Sequence, residues 1–127
     1  MGNQQEFSQF VPLFSQSGVV EKGTQEAGSI GFPTANIRFS APDISGTYAG
    51  KVMVGGEEYR AAIYANQKRG VLEAFIFDFS GDLYGQSVTM TLLERLVEDK
   101  TFQGAQDEKS FIDWAVKEVE KYFNREE

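Results

Sequence analysis

Three short stretches carry side chains whose types and spacing suit chemistry. The first is Gly28-Ser-Ile-Gly-Phe-Pro-Thr-Ala-Asn36. If the chain is extended after Pro33, Thr34 and Asn36 point to one face about 7 Å apart, because strand side chains alternate. A hydroxyl and a carboxamide so placed could share one hydrated Mg²⁺ or bracket phosphate oxygens, since Mg²⁺ keeps waters and takes few protein ligands. The glycines upstream permit close backbone approach to a phosphate. The same residues also suit a proline-initiated strand whose Thr and Asn make only local backbone hydrogen bonds, and composition alone favours that plainer account. The second stretch is Leu72-Glu-Ala-Phe-Ile-Phe-Asp-Phe79. Alternation puts Glu73, Phe75, Phe77 and Phe79 on one face, and Leu72, Ala74, Ile76 and Asp78 on the other. A carboxylate buried among phenylalanines must be paired, protonated or used, and such a group suits a general base. A solvated Glu73 at the strand end is an equally open reading. The third stretch, Asp78-Phe-Ser-Gly-Asp-Leu-Tyr-Gly85, suits a hairpin loop with Tyr84 folded over its edge and needs no function.

Two residue types are missing, and both absences limit the chemistry. The chain has neither Cys nor His. Disulfides, thiol nucleophiles and zinc–thiolate sites are excluded, as is an imidazole base. Any base must be a carboxylate, Lys or Tyr, and any metal a hard, oxygen-bound ion such as Mg²⁺. The net charge of −7 argues against a nucleic-acid partner, which needs a basic footprint. Gly23-Thr-Gln-Glu-Ala-Gly-Ser29 has the glycine spacing of a phosphate-binding P-loop, but Ser29 stands where the lysine is obligatory and no βαβ unit surrounds it. A glycine-punctuated flap remains. No apolar run approaches the roughly 20 residues that cross a bilayer, and the N-terminus lacks the pattern of a signal peptide. A cytoplasmic protein with no membrane contact is expected, as is a monomer.

These residues need a scaffold, and the rest of the chain describes one. Its 127 residues amount to a single core. Residues 1–16 read as a partly flexible lead-in and 17–127 as the domain. Short strands are expected at 34–39, 47–54, 57–64, 72–79 and 86–96, with Gly55-Gly56 as a two-residue hairpin turn. The acidic cluster Glu94 to Lys100 reads as solvated surface. The period then changes: Phe111, Ala115, Val119 and Tyr122 recur at helical spacing, with Ile112, Val116 and Phe123 beside them. Strands at short spacing plus one terminal helix predict a mainly β protein, a small antiparallel barrel with a C-terminal α-helix.

Together the segments resemble the riboflavin kinase (flavokinase) family of the bacterial and eukaryotic type. Gly18-x-Val20-x-x-Gly23 resembles its opening strand and loop, and Ile30-Gly-Phe-Pro-Thr-Ala-Asn-Ile37 looks like its signature. Gly46-Thr-Tyr-Ala-Gly50 and Gly81-Asp-Leu-Tyr-Gly85 follow in the family's order, the latter behind the strand bearing Glu73. Glu98-Asp-Lys-Thr-Phe102 and the last helix are similar to its C-terminal end. The resemblance implies a six-stranded Greek-key barrel and the transfer of phosphate from ATP to riboflavin, giving FMN and ADP. It implies Thr34 and Asn36 as holders of Mg²⁺ and the nucleotide phosphates, and Glu73 as the base on the ribityl terminal hydroxyl. Gly23, Gly28, Gly31, Pro33 and Tyr84 would join the binding site. The chain departs from the family pattern at Ser29 and Val97, where arginine is usual. The alternative is a flavin- or nucleotide-binding module of the same fold with weakened catalysis. In many bacteria the family's module follows an FMN adenylyltransferase domain. This length leaves no room for one, so no FAD synthesis is expected.

Overall fold

The computed structural model describes residues 12–22, 32–99, 102 and 104–126. Six strands run β1 Phe14–Val19, β2 Thr34–Arg38, β3 Gly46–Val54, β4 Glu57–Asn66, β5 Val71–Ile76 and β6 Ser87–Val97. One helix, α1 Ala105–Glu126, follows. The strands lie in the order β1-β6-β3-β4-β5-β2, every neighbouring pair antiparallel. Only β3–β4 and β4–β5 are sequential hairpins; β1 and β2 are delivered to strands far along the chain, which is a Greek-key order. The sheet curls until its two edges meet at one bridge, where the Glu21 N–H donates to the Asn36 carbonyl at 2.8 Å. That bond closes the barrel just beyond β1 and ties the flap's first anchor to β2.

Alternation sorts each strand into an inner and an outer set. Ala35 and Ile37, Ile63 and Ala65, Leu72, Ala74 and Ile76, and Met90 and Leu92 fill the barrel. The opposite set includes Ala49, Ala62, Tyr64, Phe75 and Phe77, which pack under Val116, Val119 and Phe123 of α1. The protein therefore has two apolar layers, one inside the barrel and one between sheet and helix. Gly50 lets β3 approach β6 and Ile63 closely: a Cβ there would lie 2.4 Å from the Thr91 carbonyl oxygen and 2.7 Å from Ile63 Cδ1. Gly55 and Gly56 have φ of 57° and 88°, the left-handed pair that a two-residue hairpin turn requires.

Several boundaries differ from the sequence expectation. β1 begins at Phe14, ahead of the boundary placed at residue 17. β5 stops at Ile76 rather than Phe79. Asp78 takes a left-handed φ of 57°, which breaks the alternation. Phe79 consequently leaves the face of Glu73 and packs with the barrel core, its ring 4.9 Å from that of Tyr59. The helix is also rotated from the expected stripe. Ala115, Val116, Val119 and Phe123 are buried, whereas Phe111 sits to one side between Phe102 and Trp114. Helix α1 carries Asp107 and Glu108 in its first turn and Arg125 in its last, which complements its dipole.

Candidate active site

Antiparallel pairing places side chains of directly opposed residues on one face, with Cβ atoms about 4.5–5.5 Å apart. Asn36 opposes Glu73, Glu73 opposes Tyr64, and Tyr64 opposes Thr47. One row thus crosses four strands with four polar side chains, on the face that α1 partly covers. Their exposures are 4% for Asn36, Glu73 and Tyr64 and 2% for Thr47. The barrel keeps its polar groups together, where partners or a ligand can satisfy them. Thr34 stands two residues from Asn36 on the same face and is half-buried. Pro33, just before it, uses its carbonyl to accept the Ile76 N–H at 2.9 Å, extending the β2–β5 ladder.

The Asn36 Oδ1 is buried and has no hydrogen-bond partner among the described residues. A buried carbonyl oxygen in that state costs stability unless something binds it. With the Thr34 hydroxyl on the same face, it forms a hard-oxygen donor pair that fits Mg²⁺. Among the described residues no group of three or more His, Cys, Asp or Glu gathers to cage a metal. An ion at Thr34 and Asn36 would draw its remaining ligands from water and phosphate.

Glu73 lies against the turn between β4 and β5. The Arg69 Nη1 is 3.8 Å from Glu73 Oε2, and the Arg69 side chain remains 45% exposed. The turn is tightly held. The Arg69 N–H donates to Asn66 Oδ1 at 3.1 Å, and the Gly70 N–H to the Asn66 carbonyl at 2.8 Å. Gln67 Nε2 bonds the carbonyls of Ala41 and Ile44. On the other side of Glu73, Tyr64 donates its hydroxyl to Asp99 Oδ1 at 3.4 Å. Burial, and then the carboxylates of Asp99, Glu108 and Glu73, push the Tyr64 hydroxyl well above the ordinary tyrosine value. Tyr64 therefore stays a neutral donor.

Beyond Tyr64 a cleft of about 560 Å³ opens between the end of β4 and the segment entering α1, lined by Tyr64, Asn66, Asp99, Phe102 and Glu108 among others. That volume suits a drug-sized ligand. Asp99 is exposed, as expected of the charged cluster, and also lines this cleft. Gly23, Gly28 and Gly31 lie outside the described residues. Tyr84 sits in the β5–β6 loop, 61% exposed, and its N–H donates to Asp82 Oδ1 at 3.0 Å. No hydrogen bond or ring contact joins it to the polar row. Sequence reasoning missed Thr47, Tyr64 and Asp99. Tyr64 and Thr47 stand in ordinary β-type runs, and only the strand register shows that they extend the Asn36–Glu73 pair.

The family model for riboflavin kinase matches residues 12–123. A bifunctional riboflavin kinase/FMN adenylyltransferase of Buchnera aphidicola is 30% identical over 123 residues, covering 88% of this chain and 39% of that protein. Its counterpart in Mycoplasma pneumoniae is 32% identical over 117 residues, covering 88% and 43%. The chain spans about two-fifths of the length of these curated relatives. The crystal structure of riboflavin kinase from Trypanosoma brucei superposes with a TM-score of 0.54 at 22% identity, over 87% of this chain and 76% of that one, a likeness of fold. With the family model matching nearly its whole length and the same barrel-and-helix fold beneath the match, the chain belongs to the riboflavin kinase family.

Proposed function

We propose that the chain transfers the γ-phosphoryl group of ATP to the terminal hydroxyl of the ribityl chain of riboflavin, releasing FMN and ADP. The observation that carries this reading is the opposition of Asn36 and Glu73 across β2 and β5, with Thr34 on the same face and the Tyr64-lined cleft on the other flank. A donor site on the β2 side and an acceptor site on the β4 side leave Glu73 between them.

In this arrangement the flavin ring occupies the cleft and its ribityl chain runs past Tyr64 toward Glu73. Glu73 accepts the proton of the terminal hydroxyl as that oxygen bonds to the γ-phosphorus. The bond from phosphorus to the oxygen of ADP breaks, and ADP leaves with the electron pair. Such a transfer demands positioning and charge neutralisation more than covalent chemistry. Thr34 and Asn36 would hold Mg²⁺, which when bound supplies neutralising charge to the phosphates. Tyr64, kept neutral and fixed to Asp99, walls the acceptor side with a donor that adds no charge. The helix-side apolar layer, Phe75 and Phe77 with Val116, Val119 and Phe123, shields the same face from water.

The test is chromatographic detection of FMN from riboflavin, ATP and Mg²⁺. Product should scale with protein and vanish with chelator. Glu73→Gln should lower kcat roughly 10²- to 10⁴-fold, the range of a general base, while riboflavin still binds. Binding without any FMN from the wild-type protein would assign the chain to a flavin- or nucleotide-binding module instead.

A further inference from the structure

We propose that Arg69 is a phosphate-binding residue of this site: it faces the Glu73 carboxylate when nucleotide is absent and takes a terminal phosphoryl oxygen of the nucleotide when it is bound. The inference rests on the phosphoryl-transfer reading above. Three observations carry it. First, the Arg69–Glu73 separation of 3.8 Å is outside hydrogen-bond range. The guanidinium, half exposed, keeps donors available for a second partner, and its planar fork suits phosphate oxygens. Second, the cation is aimed by a rigid turn. Asn66 receives the Arg69 N–H, and Gln67 ties the turn to the Ala41 and Ile44 carbonyls. An arginine presented from a fixed backbone loses less freedom on binding.

Third, positive charge is scarce there. The chain carries −7 overall, and a nucleotide triphosphate adds more negative charge. Arg38, on the face of β2 that bears Thr34 and Asn36, is 72% exposed and already bonded to Glu21 at 3.1 Å. Lys68, the neighbour of Arg69, lines the cleft instead. Among the described residues, Arg69 is the cation beside Glu73. When it turns to phosphate, the guanidinium moves away from the Glu73 carboxylate toward the nucleotide, so one movement couples donor binding to the surroundings of the base.

Binding is measured by calorimetry with Mg²⁺ on the whole chain, using a non-hydrolysable ATP analogue, ADP and riboflavin as separate probes. Arg69→Ala should weaken the ATP analogue about tenfold or more, the size of a hydrogen bond to a charged group. ADP and riboflavin affinities should stay within about twofold, because the contact is to the terminal phosphate. Arg69→Lys should recover part of the loss, since charge survives and the fork does not. A loss shared by all three probes would make Arg69 only a brace for the turn and overturn the proposal. No loss for the ATP analogue, or a wild-type protein that binds none, would overturn it as well. If the wild type makes no FMN yet the ATP analogue alone weakens in Arg69→Ala, the phosphoryl-transfer reading fails and the phosphate contact stands.

Discussion

Glu73 and Tyr64 are adjacent across β4 and β5 and equally buried, yet their roles diverge through what surrounds them. Glu73 faces a cation on one side and Asn36 on the other, the setting in which the proposed reaction uses it as a base. Tyr64 is held neutral by burial and by nearby carboxylates, chiefly Asp99. The raised hydroxyl has a consequence for stability. Below about pH 10, the value of an unperturbed tyrosine, both folded and unfolded forms carry the proton and the contribution is full. Above it the unfolded chain ionises first, so stability is lost as pH rises toward the folded value. Tyr64→Phe should flatten the fall of Tm between pH 9.5 and 11, about the range in which unfolded tyrosine ionises. An unchanged slope would mean that Tyr64 titrates like an exposed phenol. Asn36 can be probed through the ion it would hold. Asn36→Ala should raise the Mg²⁺ concentration needed for half-maximal FMN formation by about tenfold, the low end for lost metal-site contacts. An unaltered metal requirement would remove Asn36 from the ion's shell.

At the level of elements, the site depends on how closely β3, β4 and β6 approach. Gly50 permits that approach, since a methyl group there meets the Thr91 carbonyl oxygen, which cannot rotate away. Gly50→Ala should therefore cost about 1–3 kcal/mol, as overpacking does, measured as a lower urea midpoint at constant slope. A midpoint equal to that of the wild type would show that β3 and β6 are spaced more widely than described. The helix makes the second contribution. Phe123 meets the Phe77 ring at 6.1 Å, and the Arg60 guanidinium lies over the Phe123 ring, 5.1 Å from its centroid. The end of α1 is thereby pinned to the strand-β5 side of the site. Asp78 adds the third, because its left-handed turn releases the chain from β5 just after the face that carries Glu73.

For the whole molecule, the two ends of the sheet are joined among the described residues by the bond from Glu21 to Asn36, beside the candidate metal site. A ligand that bridges Thr34, Asn36 and the flap side would staple that seam. Binding to the folded state alone at about a hundredfold the Kd adds ~2.7 kcal/mol. Riboflavin, and separately ATP with Mg²⁺, should each raise Tm, and the pair should raise it further. A melting curve indifferent to both would count against the kinase reading. Among the described residues no helix is long and apolar enough to cross a membrane.

Much of this architecture is written in local patterns. The Gly55-Gly56 hairpin, the alternation at Thr34 and Asn36, the aromatic run after Glu73 and the 3.6-residue stripe of the final helix each depend on residues close in sequence, and each is legible there. Even the range of chemistry is limited there: a chain without Cys or His leaves a carboxylate, Lys or Tyr for any base and a hard, oxygen-bound ion for any metal. What local pattern cannot encode is which strand lies beside which. A strand's periodicity says that Asn36 and Glu73 each have a face; only the closure of the barrel makes it the same face, 37 residues apart by number, with Tyr64 and Thr47 completing the row. The solvation of Glu73, left open by its sequence, is decided by that neighbourhood and by the helix above it. Likewise Asp99 belongs to a charged cluster by composition but to the cleft by position. The physical reason is one of range: turns and amphipathic periods arise from nearest neighbours, whereas burial and ion pairing depend on contacts that exist only once the sheet has closed.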